Sequence, residues 1–214
     1  MKYRMGLYGK YVFPRLLEWA LGNRQAEKLR RQSLAPVRGD VLEIGFGTGL
    51  NLPFYAAGLT RLTTVEPENM LSEMVAQRIA RSGLGVRQLR LDASGRLPLD
   101  DQSFDFVVST WTLCSISNVT AALRETQRVL RPGGRFVFLE HGRSDFPNVA
   151  RWQDRLNPIQ KVIGCGCHMN RAMDKIITAS GYEIESLNRF VMKDTPRLFG
   201  EMYQGMARSS GKKR

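Results

Sequence analysis

Three glycines at every second position, Gly45, Gly47 and Gly49, follow a short aliphatic strand that carries the carboxylate of Glu43. Glycine backbone can turn sharply and approach a ligand that a Cβ atom would hold away. About twenty residues later, a second strand-like run ends in Glu66. A carboxylate at the tip of a neighbouring strand can accept hydrogen bonds from both hydroxyls of a ribose. The pattern therefore predicts a nucleoside-binding α/β domain.

The spacing of these glycines differs from the dinucleotide fingerprint, which has its third glycine three residues after the second. Here the third glycine, Gly49, lies only two residues after the second, Gly47. A dinucleotide needs helix N–H groups for its pyrophosphate, whereas S-adenosylmethionine has no phosphate and ends in an amino acid whose ammonium group suits Glu43. The details favour S-adenosylmethionine. A tight strand-to-helix turn without a ligand is the structural alternative.

Length and composition indicate a single compact domain. The chain has 214 residues, of which 43% are hydrophobic and 24% charged, as is typical of globular proteins. It contains no apolar run long enough to span a membrane, and its three cysteines do not make a disulfide framework. We therefore expect a cytoplasmic protein. The net charge of +12 favours nucleic acid, an anionic membrane surface or acidic substrates, or simply solubilises the protein.

Hydrophobic spacing predicts a basic helix over residues 11–31. We expect it to cap the core, with contact to an anionic bilayer as the alternative. Strand and helix patterns then alternate, which predicts a seven-stranded, mostly parallel sheet with helices on both faces. The predicted strands are 41–44, 62–65, 86–91, 104–109, 135–139, 182–190 and 202–208.

The expected helices begin near Gly49, Asn69 and Val119, with Asn69 and Asn118 as N-caps. A further helix is predicted over 171–180. Residues 145–166 are predicted to form an insertion broken at Pro147 and Pro158. Within one domain, 1–214, we expect an N-terminal helical cap (1–39), a cofactor-binding core (40–140), an acceptor-side insertion with the last strands (141–208) and a disordered tail (209–214).

The order of motifs between residues 40 and 140 resembles the Rossmann-like class I S-adenosylmethionine-dependent methyltransferases, especially the ubiquinone and menaquinone C-methyltransferases. The resemblance rests on the segments 43–49, Glu66, Asp92-Ala93, 97–105 and 129–134. It implies S-adenosylmethionine as the cofactor. The cofactor-binding residues implied are Glu43, Gly45, Phe46, Gly47 and Gly49 at the methionine end, Glu66 and Pro67 at the ribose, Asp92 and Ala93 at the adenine, and Thr110, Trp111 and Leu113 beneath the sulfonium.

The second half of the chain resembles the methyltransferase-like thiol S-methyltransferases of animal endoplasmic reticulum and lipid droplets. This similarity lies in the segments 113–116, Glu140-His141, 166–171 and 203–207. That family has a hydrophobic N-terminal anchor, which the first 39 residues do not show. Bacterial phospholipid N-methyltransferases are similar over the cofactor-binding half. The resemblance implies a small, apolar acceptor: a thiol, a quinol or a phospholipid amine.

Methyl transfer from a sulfonium mainly needs alignment of the acceptor and exclusion of water. A base is required only when the acceptor is protonated. His141, just beyond a strand end, is the first candidate for a catalytic base, and His168 is the second; a structural role is the alternative for each. We expect no metal, because the Cys165-x-Cys167-His168 segment lacks the paired spacing of zinc sites. Tyr8, Tyr11 and Trp111 could close the acceptor pocket or pack in the core.

Two other functions stay open at this stage. The basic charge is compatible with an RNA methyltransferase, although Ser109-Thr110-Trp111-Thr112 is not the Asn/Asp-Pro-Pro-aromatic run that holds an adenine amine. A non-catalytic S-adenosylmethionine-binding protein at a membrane surface is the other alternative. The expected partners are a small-molecule acceptor and a peripheral contact with an anionic membrane. No obligate protein partner is inferred.

Overall fold

The central sheet of the molecule confirms the predicted architecture. The computed structural model describes residues 6–55, 57–68 and 70–210. They form a seven-stranded sheet in the order β3-β2-β1-β4-β5-β7-β6. Within this described part, β7 alone runs in the direction opposite to the other six strands. The strands are β1 (Gly39–Ile44), β2 (Leu59–Val65), β3 (Val86–Leu89), β4 (Phe104–Thr110), β5 (Leu130–His141), β6 (Tyr182–Val191) and β7 (Glu201–Ser209).

Helices cover both faces of the sheet, because alternate residues of the central strands point into opposite cores. Leu42 and Ile44 of β1 belong to a core that includes residues of α4 and α6. Val41 belongs to a second core that includes residues of α2 and α3. The helices are α1 (Phe13–Leu21), α2 (Arg24–Leu34), α3 (Ser72–Ser82), α4 (Val119–Val129), α5 (Pro147–Ile163) and α6 (Met173–Ala179).

The N-terminal segment differs from the single helix predicted over 11–31. A π-helical turn, Tyr8–Val12, leads into α1. This helix ends at its C-cap, Gly22, and α2 begins two residues later. The side chain of Asn23 accepts hydrogen bonds from the backbone N–H groups of Gln25 and Ala26, both at 3.0 Å. The prediction was wrong here because an asparagine with this geometry starts a new helix.

The segment after Gly49 also differs from the prediction. Its described residues form a 3-10 turn, Leu52–Phe54, in place of the expected helix. Asn51 turns its side chain inward, and Tyr55 is already extended, with ψ at 133°. The helix predicted near residue 69 is α3, whose first residue is Ser72; Asn69 itself lies outside the described residues. Asn118 caps α4 as predicted, accepting from the N–H of Ala121 at 3.1 Å.

The predicted insertion over 145–166 is largely one helix, α5. Pro147 begins it, as proline can at a first helical turn, but Pro158 lies inside it. Pro158 is exposed, so water can satisfy the carbonyl that its missing N–H leaves free. The predicted tail begins too early, since Ser209 still pairs with Tyr182 in the sheet; residues 211–214 lie outside the described part.

No helix in the described ranges has both the length and the apolar character that crossing a bilayer requires.

Candidate functional site

The glycine turn after β1 needs its glycines for two different reasons. Gly45, Gly47 and Gly49 all have positive φ values, of 75°, 54° and 79°. A Cβ atom on Gly45 would collide with the side chain of Thr112, whereas one on Gly47 would have nothing within 4 Å. Gly45 is therefore required by packing against the loop after β4. Gly47 leaves open space of the kind that a ligand can approach.

Glu66 lies at the carboxyl end of β2, directly beside this turn. Its Oε2 accepts the Gly47 N–H at 3.0 Å, and its Oε1 has a long contact of 3.5 Å to the N–H of Glu68. Glu66 and Gly47 line a cleft together with Phe46, Met70 and Leu89. Burial raises the pKa of Glu66 to about 7. An ionised carboxylate has about four acceptor positions, so Glu66 keeps positions for hydroxyl donors of a ligand.

A buried network of polar side chains stabilises the glycine turn on the side of the sheet. The carboxylate of Glu43 is 1% exposed. It accepts the Asn51 amide at 2.8 Å and the Tyr55 hydroxyl at 2.7 Å, and the same amide reaches Thr110 Oγ1 at 3.0 Å. Burial raises the pKa of Glu43 to about 7. Both carboxylate oxygens thus have protein donors, and direct contact between Glu43 and a ligand's ammonium group stays a prediction.

Arg30 completes this network from α2. Its Nε donates to Asn51 Oδ1 at 3.1 Å, and its guanidinium lies 4.7 Å from the ring centroid of Trp111. Burial lowers its pKa to about 10, so it remains a cation at neutral pH. Arg30 lies within the basic helix predicted over residues 11–31, and no role in the site was predicted for it. Its helical spacing from Ala26 and Leu34, both fully buried, was the available signal.

The helix α1 is fastened to the glycine turn by an ion pair. Arg78 of α3 donates to both oxygens of Glu18, at 2.7 Å and 2.6 Å, and to the carbonyl of Thr48 at 2.8 Å. The Thr48 hydroxyl also donates to Glu18. Although burial opposes it, the Arg78 hydrogen bond holds the pKa of Glu18 below its usual value. Glu18 of α1 is therefore held beside the glycine turn.

The other predicted cofactor residues have mixed environments. Asp92 is exposed, and its Oδ1 accepts the N–H of Ser94 at 2.8 Å. Ala93 is buried in the core, and Pro67 is exposed beside Glu66. Leu113 is fully buried in the core. The position of Leu113 beneath the sulfonium stays a prediction.

Two cysteines and His141 form a buried cluster on the other side of the β4 end. The Nε2 atom of His141 lies 3.1 Å from the sulfur of Cys167, and Cys114 joins this pair. Hydrogen bonding from Cys114 and the charge of the His141 ring lower the pKa of Cys167. His141 therefore faces the sulfur of Cys167, and its role as a base stays a prediction.

His168 stands apart from this cluster. Its Nδ1 lies 3.3 Å from the amide nitrogen of Asn157, and its backbone N–H donates to the Cys114 carbonyl at 2.9 Å. Burial lowers the pKa of the His168 ring, so the neutral form dominates at neutral pH. Of the predicted pocket aromatics, Tyr8 and Tyr11 are both substantially exposed, and Trp111 is under Arg30.

Comparison with known proteins agrees with this geometry. A family model described as a methyltransferase domain matches residues 42–138. Human thiol S-methyltransferase TMT1B (Homo sapiens) is 33% identical over 164 residues, which cover 70% of this chain and 65% of the relative. The phosphatidylethanolamine N-methyltransferase of Cereibacter sphaeroides is 27% identical over 163 residues, covering 74% of this chain and 79% of the relative. The chain belongs to the class I S-adenosylmethionine-dependent methyltransferases.

The fold of this methyltransferase has close structural counterparts. An S-adenosylmethionine-dependent methyltransferase from Mesorhizobium loti superposes with a TM-score of 0.64 at 20% identity, over 88% of this chain and 99% of that one. The sequence matches confirm the predicted family and its cofactor, and the structural match confirms the Rossmann-like sheet. The chain spans 54% to 65% of the length of the thiol S-methyltransferases that it matches.

Two further charged residues shape the loop after β4, and no role was predicted for either of them. Glu140 is fully buried and accepts the Ser109 hydroxyl at 2.6 Å and the Thr112 N–H at 2.9 Å. Arg171 donates to the carbonyls of Leu113 and Ile116. The glutamate was visible only as part of the Glu140-His141 pair, and its partners are 28 and 31 residues away. Such long-range contacts leave no local signal.

Proposed function

We propose that this chain transfers a methyl group from S-adenosylmethionine to a small, apolar acceptor, and that the acceptor is a thiol. The observation that carries the proposal is the position of Glu66. Its partly buried carboxylate lies beside the open backbone of Gly47, at the carboxyl end of the parallel strands. This edge is where ligands bind in open α/β sheets. A carboxyl group with a raised pKa in a cleft also indicates a functional site.

The residues of the chain would divide the work as follows. Bound S-adenosylmethionine supplies an electrophilic methyl group on a sulfonium that leaves as a neutral thioether. Glu66 accepts hydrogen bonds from the two ribose hydroxyls, and Gly47 lets the backbone approach the ligand. Glu43, Asn51 and Arg30 hold the glycine turn and the β4 end in one arrangement. Fixed positioning of this kind is the main contribution that a methyl transfer needs.

A thiol suits the site better than an amine or a quinol. A free thiol has a pKa of about 8.5, so part of it is ionised at neutral pH without a base. An amine or phenol requires a general base within hydrogen-bonding distance. His141, the first candidate, has its Nε2 directed at Cys167. The similarity to a thiol S-methyltransferase supports the same assignment.

An acceptor screen tests the proposal. Purified protein and methyl-labelled S-adenosylmethionine are incubated with small alkyl thiols, menaquinol, ethanolamine phospholipid vesicles or RNA. We expect labelled thioether, and its formation should fall in Glu66→Gln and not in Glu68→Gln, the exposed neighbour. Labelling of the quinol, phospholipid or RNA without labelling of thiols would refute the thiol assignment. Cofactor binding without transfer to any acceptor would support the non-catalytic alternative.

We further infer that the chain contacts an anionic membrane through an apolar surface beside the site, called here the apolar face. Its side chains lie on the N-terminal segment and on α5, and the Tyr8 hydroxyl joins the two by donating to the Ile163 carbonyl at 2.9 Å. Trp19 is 83% exposed and Val162 64%. The exposed apolar residues of the face are Leu7, Tyr8, Tyr11, Val12, Leu16, Trp19, Trp152, Ile159, Val162 and Ile163.

Charge and the exposure of its apolar side chains support a membrane as the partner of the apolar face. Monomeric soluble proteins rarely expose contiguous apolar patches of this kind without a binding role. The exposed Lys10, Arg15 and Lys161 lie on the same segments, and the chain carries a net charge of +12. Basic residues beside an apolar surface are typical of interfacial membrane contacts. An apolar acceptor dissolved in the bilayer would then reach the site directly.

Vesicle flotation tests this contact. Wild type should float with phosphatidylglycerol vesicles and much less with phosphatidylcholine vesicles. The double variant Trp19→Ser/Val162→Ser should bind at least about tenfold more weakly, since burial of each side chain contributes on the order of 1.5 kcal/mol or more. Leu187→Ser on β6, where the leucine is 39% exposed, is the matched control. Equal flotation of all three proteins would contradict the inference.

A further inference from the structure

Cys114, His141 and Cys167 come together from three separate parts of the chain. Cys114 lies in the loop after β4, His141 is the last residue of β5, and Cys167 lies in the connection between α5 and α6. Their sulfur and nitrogen atoms all lie within 4.8 Å of one another, and all three residues are buried. The backbone fixes the arrangement, because the His168 N–H donates to the Cys114 carbonyl at 2.9 Å. The cluster is therefore a consequence of the fold.

We propose that Cys114, His141 and Cys167 form a binding site for a Zn²⁺ ion. Two thiolates and one imidazole are the ligand types that zinc prefers, and three protein ligands with one further position are typical of its open sites. The thiolates balance the charge of the ion, so the buried site stays neutral when it is filled. Within the described residues, no other His, Cys, Asp or Glu joins the group. Water or an exogenous thiol would take the fourth position.

The surroundings support this selection of ligands. The nearest carboxylate in sequence, Glu140, is occupied by Ser109 and Thr112. Cys165 is only two residues from Cys167, but it is not a member of the group and is partly exposed. The expectation that there is no metal rested on the spacing of Cys165, Cys167 and His168. The structure brings together a different set, which local spacing could not show.

Zinc in this site would join the connection between α5 and α6 to the sheet. The connection between α5 and α6 carries Cys167, and one metal ion would fix it to the ends of both β4 and β5. Ligands from three segments make binding and local folding interdependent. We therefore expect removal of the ion to loosen this connection and to leave the cleft at Glu66, on the other side of β4, in place.

Metal analysis and X-ray absorption on the tag-free chain of 214 residues test the proposal. Protein produced with added zinc and dialysed against metal-free buffer should retain one zinc per chain by mass spectrometry. The zinc absorption edge should show two sulfur neighbours at about 2.3 Å and one nitrogen at about 2.0–2.1 Å. Protein without zinc, or zinc with only nitrogen and oxygen neighbours, would overturn the proposal. This arm needs no variant, so misfolding cannot obscure it.

Variants identify the ligands. Cys114→Ser and Cys167→Ser should each lose most of the zinc, whereas Cys165→Ser should retain it as the matched control. Binding of S-adenosylhomocysteine reports independently whether each variant is folded, because Glu66 and Gly47 lie outside the cluster. Full zinc content in a folded Cys167→Ser protein would overturn the assignment, as would equal loss in Cys165→Ser.

Discussion

Replacement of Glu66 by glutamine should weaken cofactor binding by a calculable amount. In the wild type, Oε2 accepts the Gly47 N–H, Oε1 has only the 3.5 Å contact to the Glu68 N–H, and Glu66 lines the cleft. The amide of Glu66→Gln keeps one acceptor oxygen and loses the charge, so at least one ribose hydroxyl loses its charged partner. A hydrogen bond to a charged group contributes about 1.5–3 kcal/mol. The dissociation constant for S-adenosylhomocysteine should therefore rise about 10- to 150-fold.

Isothermal titration calorimetry with S-adenosylhomocysteine measures this change, and Glu68→Gln is the control. Only the backbone N–H of Glu68 contacts Glu66, so its side chain can be changed without altering that contact. The control should bind within about twofold of wild type, because exposed charges contribute little. The reasoning is refuted if a folded Glu66→Gln protein binds as tightly as the wild type.

The pH dependence of binding gives a second test of the same carboxylate. Burial raises the pKa of Glu66 to about 7 in the free protein, and the ionised form accepts both hydroxyls. Below this pH the carboxyl must lose a proton before it can bind in that way. Affinity should therefore rise up to about tenfold per pH unit towards pH 7 and then level off. Glu66→Gln should show a flatter profile, and an equal slope in both proteins would assign the titration to another group.

Other expectations concern stability. Gly45→Ala should lower the melting temperature, because its Cβ meets Thr112 and its φ is positive; Gly45→Ala/Thr112→Ala should recover part of the loss, and no loss at all would contradict the packing argument. Burial raises the pKa of Glu43 from 4.5 to about 7, so its contribution to stability is complete below about pH 4.5 and is lost as the pH rises through about 7. Urea midpoints from pH 5 to 8 should therefore decline less steeply in Glu43→Gln than in wild type, and parallel curves would refute the assignment. Arg78→Gln should lower the free energy of unfolding by only about 1 kcal/mol, since the pair with Glu18 is partly exposed. It should nevertheless accelerate proteolysis between α1 and α2. An unchanged cleavage rate would contradict this expectation.

Much of the sheet could be predicted from the sequence because its strands are buried on both faces. Runs such as Phe104–Thr110 are almost continuously buried, and such runs are recognisable without tertiary information. The helices were harder. Asn51 follows the last glycine of the turn, and its inward contacts to Glu43 and Thr110 replace a helix. Pro158 is accommodated only because it faces water on α5.

The candidate site was predictable where its residues are near in sequence or at strand ends. Gly47 and Glu66 were found because glycine spacing and a strand-terminal carboxylate are local signals. Arg30 and Glu140 were missed because their partners come from distant segments. The cluster around Cys167 was missed for the same reason. The position of Leu113 after β4 did not reveal how completely its side chain is buried in the core.

The buried guanidinium of Arg30, which α2 places beneath the glycine turn, has a consequence for attempts to shorten this protein. A truncation beginning at Gly39 would leave the Asn51 oxygen without its cationic donor and would uncover one face of the Trp111 indole. We expect such a fragment to lose cooperative unfolding, because the first two helices and the strands beside the glycine turn share one buried hydrogen-bond network. The second helix is therefore a buried part of the site and not only its cover.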